Sequence, residues 1–135
     1  MQLNDPVPGF NPNAGAPIPL PEARQWTANY RDEPLTDAEK GGRKRINAYY
    51  FGNELLDRIQ SQPGCVGLRF YMGISKSKDA DSKDESQLLV VGVDKDGRDI
   101  VARLDIDGAS LYEDGIVGDE SAKCPAMCDV SSPLS

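Results

Sequence analysis

Cys65-Val66-Gly67-Leu68-Arg69-Phe70-Tyr71-Met72-Gly73-Ile74 is the run whose reading decides the fold class. Val66, Leu68, Phe70, Met72 and Ile74 occupy alternate positions, so an extended chain sets all five on one face. Gly67, Arg69, Tyr71 and Gly73 take the other face. Pro63-Gly64 stops whatever precedes the run, and a charged stretch follows from Lys76. The pattern predicts a strand with one buried face.

Downstream, residues 76–86 carry Lys76, Lys78, Asp79, Asp81, Lys83, Asp84 and Glu85, with nothing apolar larger than Ala80, which predicts an exposed loop. Gln87-Leu88-Leu89-Val90-Val91-Gly92-Val93 is apolar at almost every position and reads as a central strand buried on both faces. Asp94-Lys95-Asp96-Gly97 predicts a hairpin turn. A third strand is expected over 98–106, with Ile100, Ala102, Leu104 and Ile106 on one face. Asp94–Gly97 and Asp105–Gly108 both lack the acidic ligand spacing of a calcium loop and are read as turns. From Gly108 the chain loses periodicity.

Upstream, Pro6, Pro8, Pro12, Pro17 and Pro19 alternate with asparagine and glycine. Prolines lack ladder donors and break helices, so residues 1–19 are expected to form an extended arm. Its anchoring groups are Val7, Phe10 and Ile18, and the arm gains order only by lying on a surface. A helix is predicted from Pro21 to about Arg31, with Trp26 and Tyr30 on one face and Trp26 as a core anchor. Thr36-Asp37-Ala38-Glu39 has the form of a capping box, opening a second helix that Gly41-Gly42 weakens and Ile46, Tyr49 and Tyr50 resume. Phe51-Gly52-Asn53 is a break, after which Leu55, Leu56 and Ile59 give an amphipathic helix ending near Gly64. The expected fold is α+β: a three-stranded antiparallel meander packed by two or three N-terminal helices. Residues 1–19 form the extended Pro/Asn-rich arm, 20–118 the α+β domain, and 119–135 an irregular, cysteine-containing tail.

Composition narrows the function classes. A chain of 135 residues buries a single core without staples, and a net charge of −7 disfavours nucleic acid and anionic lipid. The one basic cluster, Lys40 to Arg45, lacks interleaved aromatics and reads as a solvated helix face. No apolar run approaches the roughly 20 residues of a membrane span. Met1 to Phe10 shows neither a basic n-region nor an apolar h-region, so a cytoplasmic location is expected. Histidine is absent, which removes Ser-His-Asp and Cys-His catalysis and any imidazole-ligated metal. Neither an enzyme nor a cofactor is expected.

Several landmarks recur together: Glu22-Ala23, Trp26-Thr27, Asn29-Tyr30-Arg31, Phe51-Gly52, Gln62-Pro63-Gly64-Cys65-Val66-Gly67, Leu89-Val90-Val91-Gly92-Val93-Asp94 and Cys124-Pro125-Ala126-Met127-Cys128. In this combination the chain resembles a group of small bacterial proteins to which no activity attaches. The resemblance spans roughly residues 20 to 128 and implies no site.

Cys65, Cys124 and Cys128 are the grouping with possible site chemistry. They could hold zinc or iron with a carboxylate such as Asp119 or Asp129, pair as a disulfide, or remain free thiols. The expected function is a non-enzymatic structural or interaction protein, self-assembling into a homo-oligomer or filament through the arm (Val7, Phe10, Ile18) and an exposed sheet edge. The second reading is a small ligand- or metal-binding domain that uses the three cysteines, or Tyr49, Tyr50, Phe51 and Arg69.

Overall fold

The structure, a computed structural model, describes residues 5–104, 110–111 and 115–135. In chain order these form helix α1 (Leu20–Asp32), helix α2 (Asp37–Lys40), strand β1 (Ala48–Tyr50), helix α3 (Asn53–Gln60) and strands β2 (Cys65–Ser75) and β3 (Glu85–Asp94). Four short strands follow: β4 (Arg103–Leu104), β5 (Ser110–Leu111), β6 (Val117–Gly118) and β7 (Ala122–Cys124). The protein is α+β, with a three-stranded antiparallel sheet and three helices among the described residues.

Local chemistry sets the helices. Pro21 stands in the first turn of α1 with Glu22 beside it, and both suit a helix start. At α2 the capping box forms as its sequence predicts. The Glu39 amide donates to Thr36 Oγ1 at 3.2 Å, and the Thr36 amide donates back to Glu39 Oε1 at 2.8 Å. The second helix does not resume at Ile46. Gly42 adopts φ +118°, a left-handed geometry that ends α2, and the aromatic residues beyond it form β1 instead.

The main sheet has the order β2-β3-β6. Ser75 Oγ, at the end of β2, donates to the Glu85 carbonyl at the start of β3, as antiparallel neighbours require. β3 pairs antiparallel with β6, with Val90 opposite Gly118 and Val91 opposite Val117. This corrects the meander. The turn at Asp94–Gly97 forms, with the Asp94 amide donating to the Arg98 carbonyl at 2.9 Å and Gly97 at φ +86°. Among the described residues the chain then stays beside β3 through the Val93–Asp99 bridge and the Ile100 amide, which donates to the Gly92 carbonyl at 2.8 Å. β6 takes over the ladder from there. Arg103–Leu104 pairs with Ser110–Leu111, and Asp105 to Gly108 lie outside the described residues. The tail is also less irregular than expected, because β7 pairs with β1, Tyr49 facing Lys123.

The second correction concerns the core. Among the described residues the buried apolar side chains are Ile59, Val90, Val91, Val93 and Ile100, centred on β3. The face of β2 expected to be buried is open: Val66 is 47%, Phe70 49%, Met72 79% and Ile74 51% exposed, and only Leu68 of that set is half-buried. The reason lies in what covers the sheet. α3 is two turns long and sets Ile59 and Leu55 against Gly118 and Val90, over β3 and β6. A Cβ on Gly118 would stand 2.6 Å from Val90 Cγ1, so only glycine lets β6 pass under α3. Neither α1 nor α2 buries a residue, and Trp26 is exposed rather than a core anchor.

The described chain groups into two compact units, each drawn from three segments. One takes residues 5–14, 51–71 and the described part of 89–120 and holds the core just described. The other takes 15–50, 72–88 and 121–135 and holds α1, α2 and the β1–β7 ladder. β2 and β3 contribute to both.

Candidate functional site

β2 is the outer strand of its sheet, and its two faces differ in chemistry. One carries the exposed apolar side chains, with Phe51 flanking Phe70 at a ring-centroid distance of 6.3 Å. On the other, Arg69 is held by Asp99. Its Nη1 donates to Asp99 Oδ1 at 2.5 Å and to the Gly97 carbonyl at 3.1 Å. The Tyr71 hydroxyl donates to the second Asp99 oxygen. That bond, with burial adding to it, keeps the Tyr71 phenol above its ordinary range, so it serves as a donor and not as a base. Arg69 is thus tied through Nη1 to Asp99 and to the Gly97 carbonyl.

The arm residues behave differently from one another. The Val7 amide donates to the Asp96 carbonyl at 2.7 Å, and Arg98 donates to the Asp5 carbonyl. Phe10 lies over Gly97, where a Cβ would come within 2.7 Å of its ring. Val7 and Phe10 therefore seat the arm on the Asp94–Gly97 turn of their own chain, while Ile18 is exposed.

Cys124 and Cys128 are joined as a disulfide and Cys65 is free, its sulfur set 3.2 Å from the Gly67 carbonyl. In this state of the chain the disulfide occupies two of the three sulfurs, leaving Cys65 as the free thiol. Among the described residues no group of three or more cysteine and carboxylate side chains is placed to hold a metal ion.

A cavity of about 460 Å³ lies beside Tyr30, Arg43, Arg45, Tyr49 and Ile74. No motif in the sequence marks its organiser. Arg45, read as part of a solvated basic face, is bidentate to Glu39 at 2.7 and 2.8 Å. Its remaining donors reach the carbonyls of Glu33 at 2.5 Å and Pro34 at 2.8 Å, and its guanidinium lies over the Tyr30 ring at 5.7 Å. The Arg45 hydrogen bond first, and the Thr36 amide next, bring the Glu39 carboxyl down from 4.5 to about 2. The Tyr30 hydroxyl donates to the Ile46 carbonyl at 3.1 Å, and burial pushes the Tyr49 phenol up. Arg45 therefore fastens the end of α1 to α2, and its donors are spent within the fold. Tyr50 and Phe51 do not line this cavity.

Among the described residues, no helix is long and apolar enough to cross a membrane. No family model matches the chain, and neither a curated protein nor a solved structure matches it at a significant level.

Proposed function

We propose that the chain is a non-enzymatic structural and interaction protein that assembles with copies of itself through the open edge and apolar face of β2, with the N-terminal arm as a second contact. The observation that carries this reading is the exposure of Val66, Phe70, Met72 and Ile74 together on an outer strand. Outer strands of self-sufficient proteins are normally guarded by charge or proline, because an unpaired edge beside apolar side chains recruits another chain. β2 has neither guard: its single charge, Arg69, is neutralised by Asp99. The net charge of −7 keeps the rest of the surface soluble and works against nucleic-acid partners.

The arm adds a second contact. Its Val7 and Phe10 seat, reached through the exposed segment Gly15-Ala16-Pro17-Ile18-Pro19, is the kind of contact that exchanges between identical copies, and exposed Ile18 extends it. Leu20, Trp26 and Tyr30 of α1 offer further apolar surface for packing. Light scattering on the full chain should give a particle of at least two copies. Met72→Asp should return it to one chain with unchanged circular dichroism, since that side chain is 79% exposed. A single-chain mass for the unsubstituted protein at every concentration would overturn the reading.

A further inference from the structure

Strand β2 reads almost the same in both directions. About Phe70, Gly67 answers Gly73, Val66 answers Ile74, Leu68 answers Met72, and the small Cys65 answers Ser75. Arg69 and Tyr71 differ from each other but complement, a cation against an aromatic ring. Resting on the self-assembly reading above, we propose that two copies join by pairing β2 with β2, antiparallel, about a two-fold axis at Phe70. Two three-stranded sheets thereby become one continuous sheet.

The geometry of antiparallel pairing sets this register. Opposed residues share a face, so the axis at Phe70 sets Val66 against Ile74 of the second copy, Leu68 against its Met72, and Phe70 against its own equivalent. β-branched meets β-branched, and aromatic meets aromatic. On the reverse face glycine meets glycine and Arg69 meets Tyr71. A slip of one residue sets apolar against polar faces. An axis at Arg69 opposes two like charges, and an axis at Tyr71 opposes Arg69 to Gly73 and carries Val66 past the end of the strand. Only the Phe70 register matches every pair.

The strand is otherwise ready for such a partner. It runs 11 residues, well beyond the usual 5–6, and holds no proline. Among the described residues no backbone–backbone bond ties Val66–Ser75 to a turn or loop, and the one side-chain contact to this backbone is the Cys65 sulfur at 3.2 Å from the Gly67 carbonyl, so the outer edge of β2 is largely open. Arg69 enters the contact already paired with Asp99 at 2.5 Å, and pairing of the two copies strands no naked charge. The contact is isologous, so it closes as a dimer and does not propagate; any larger particle would need the arm.

Cysteine cross-linking tests the register on full-length chains in which Cys65, the free thiol, is replaced by serine. Phe70→Cys should convert on mild oxidation to a disulfide-linked dimer. Val66→Cys and Ile74→Cys should each stay monomeric on a non-reducing gel but link to one another when mixed. Those two positions are 47% and 51% exposed, so the mixed pair carries the test even where Phe70→Cys disturbs folding. Cross-linking of Val66→Cys to itself, or no link in either arrangement while light scattering still shows an oligomer, would overturn the two-fold pairing and leave self-assembly standing. A monomer throughout would overturn both.

Discussion

Replacing Ile59 with alanine strikes the one helix residue that the core cannot spare. Ile59 is fully buried, with side-chain atoms close to Gly92 and Gly118 and hence to the strands on either side of the β3–β6 ladder. Ile→Ala removes three carbons, and at about 0.8 kcal/mol per buried methylene the transfer loss alone is roughly 2.4 kcal/mol. The void adds to this wherever neighbours fail to collapse, which brings the whole to about 2–5 kcal/mol. Among the described residues five apolar side chains are buried, so little else there can fill the space. A urea titration followed by circular dichroism should show the midpoint falling with the slope unchanged. Phe70→Ala, made at a concentration where the chain is dispersed, should cost about 1 kcal/mol, because half of that side chain is already in water. Equal losses at the two positions, or a loss under about 1 kcal/mol at Ile59, would refute the placement of the core on β3.

Other tests address the arm, the arginine hub and the disulfide. Gly97→Ala meets both a φ of +86° and the Phe10 ring at 2.7 Å. It should abolish hydrogen-exchange protection at the Val7 amide while leaving Val90 and Val91 protected. The Glu39 carboxyl is held down at about 2, so its contribution is complete above its ordinary value of 4.5 and is lost as pH falls from there toward 2. Thermal midpoints should drop through that window, and Arg45→Ala should remove Glu39's share of the drop. Cys128→Ser opens a ring whose cysteines stand 4 positions apart, which should cost at most roughly 2 kcal/mol and speed exchange along the β1–β7 ladder.

What the sequence disclosed was local. The capping box at Thr36–Glu39, the turn at Asp94–Gly97 and the continuous apolar run of β3 are each decided by residues within a few positions of one another. The alternation along β2 correctly groups Val66, Phe70, Met72 and Ile74, but a period of two says which side chains share a face and nothing about what lies over it. β1, β6 and β7 are two or three residues long and leave no period to detect. Arg45 gains its role from carbonyls at Glu33 and Pro34, fixed by where α1 ends, so no motif announces it. The need of Val7 and Phe10 for a surface was legible, whereas the identity of that surface depends on a turn far along the chain.

That distance governs how the chain comes to fold. Asp5 and Arg98 meet across 93 positions, and Arg31 donates to the Leu134 carbonyl across 103. β1 likewise waits for β7, although β1 is made first. During synthesis, therefore, neither compact unit can close until nearly all of its residues have emerged, and contacts this remote are slow to form. Meanwhile Phe70, Met72 and Ile74 leave the ribosome well ahead of β6 and β7. For that interval the chain presents a long strand with Arg69 as its single charge to the crowded interior of the cell, which makes it a natural client for chaperones that shield extended apolar segments.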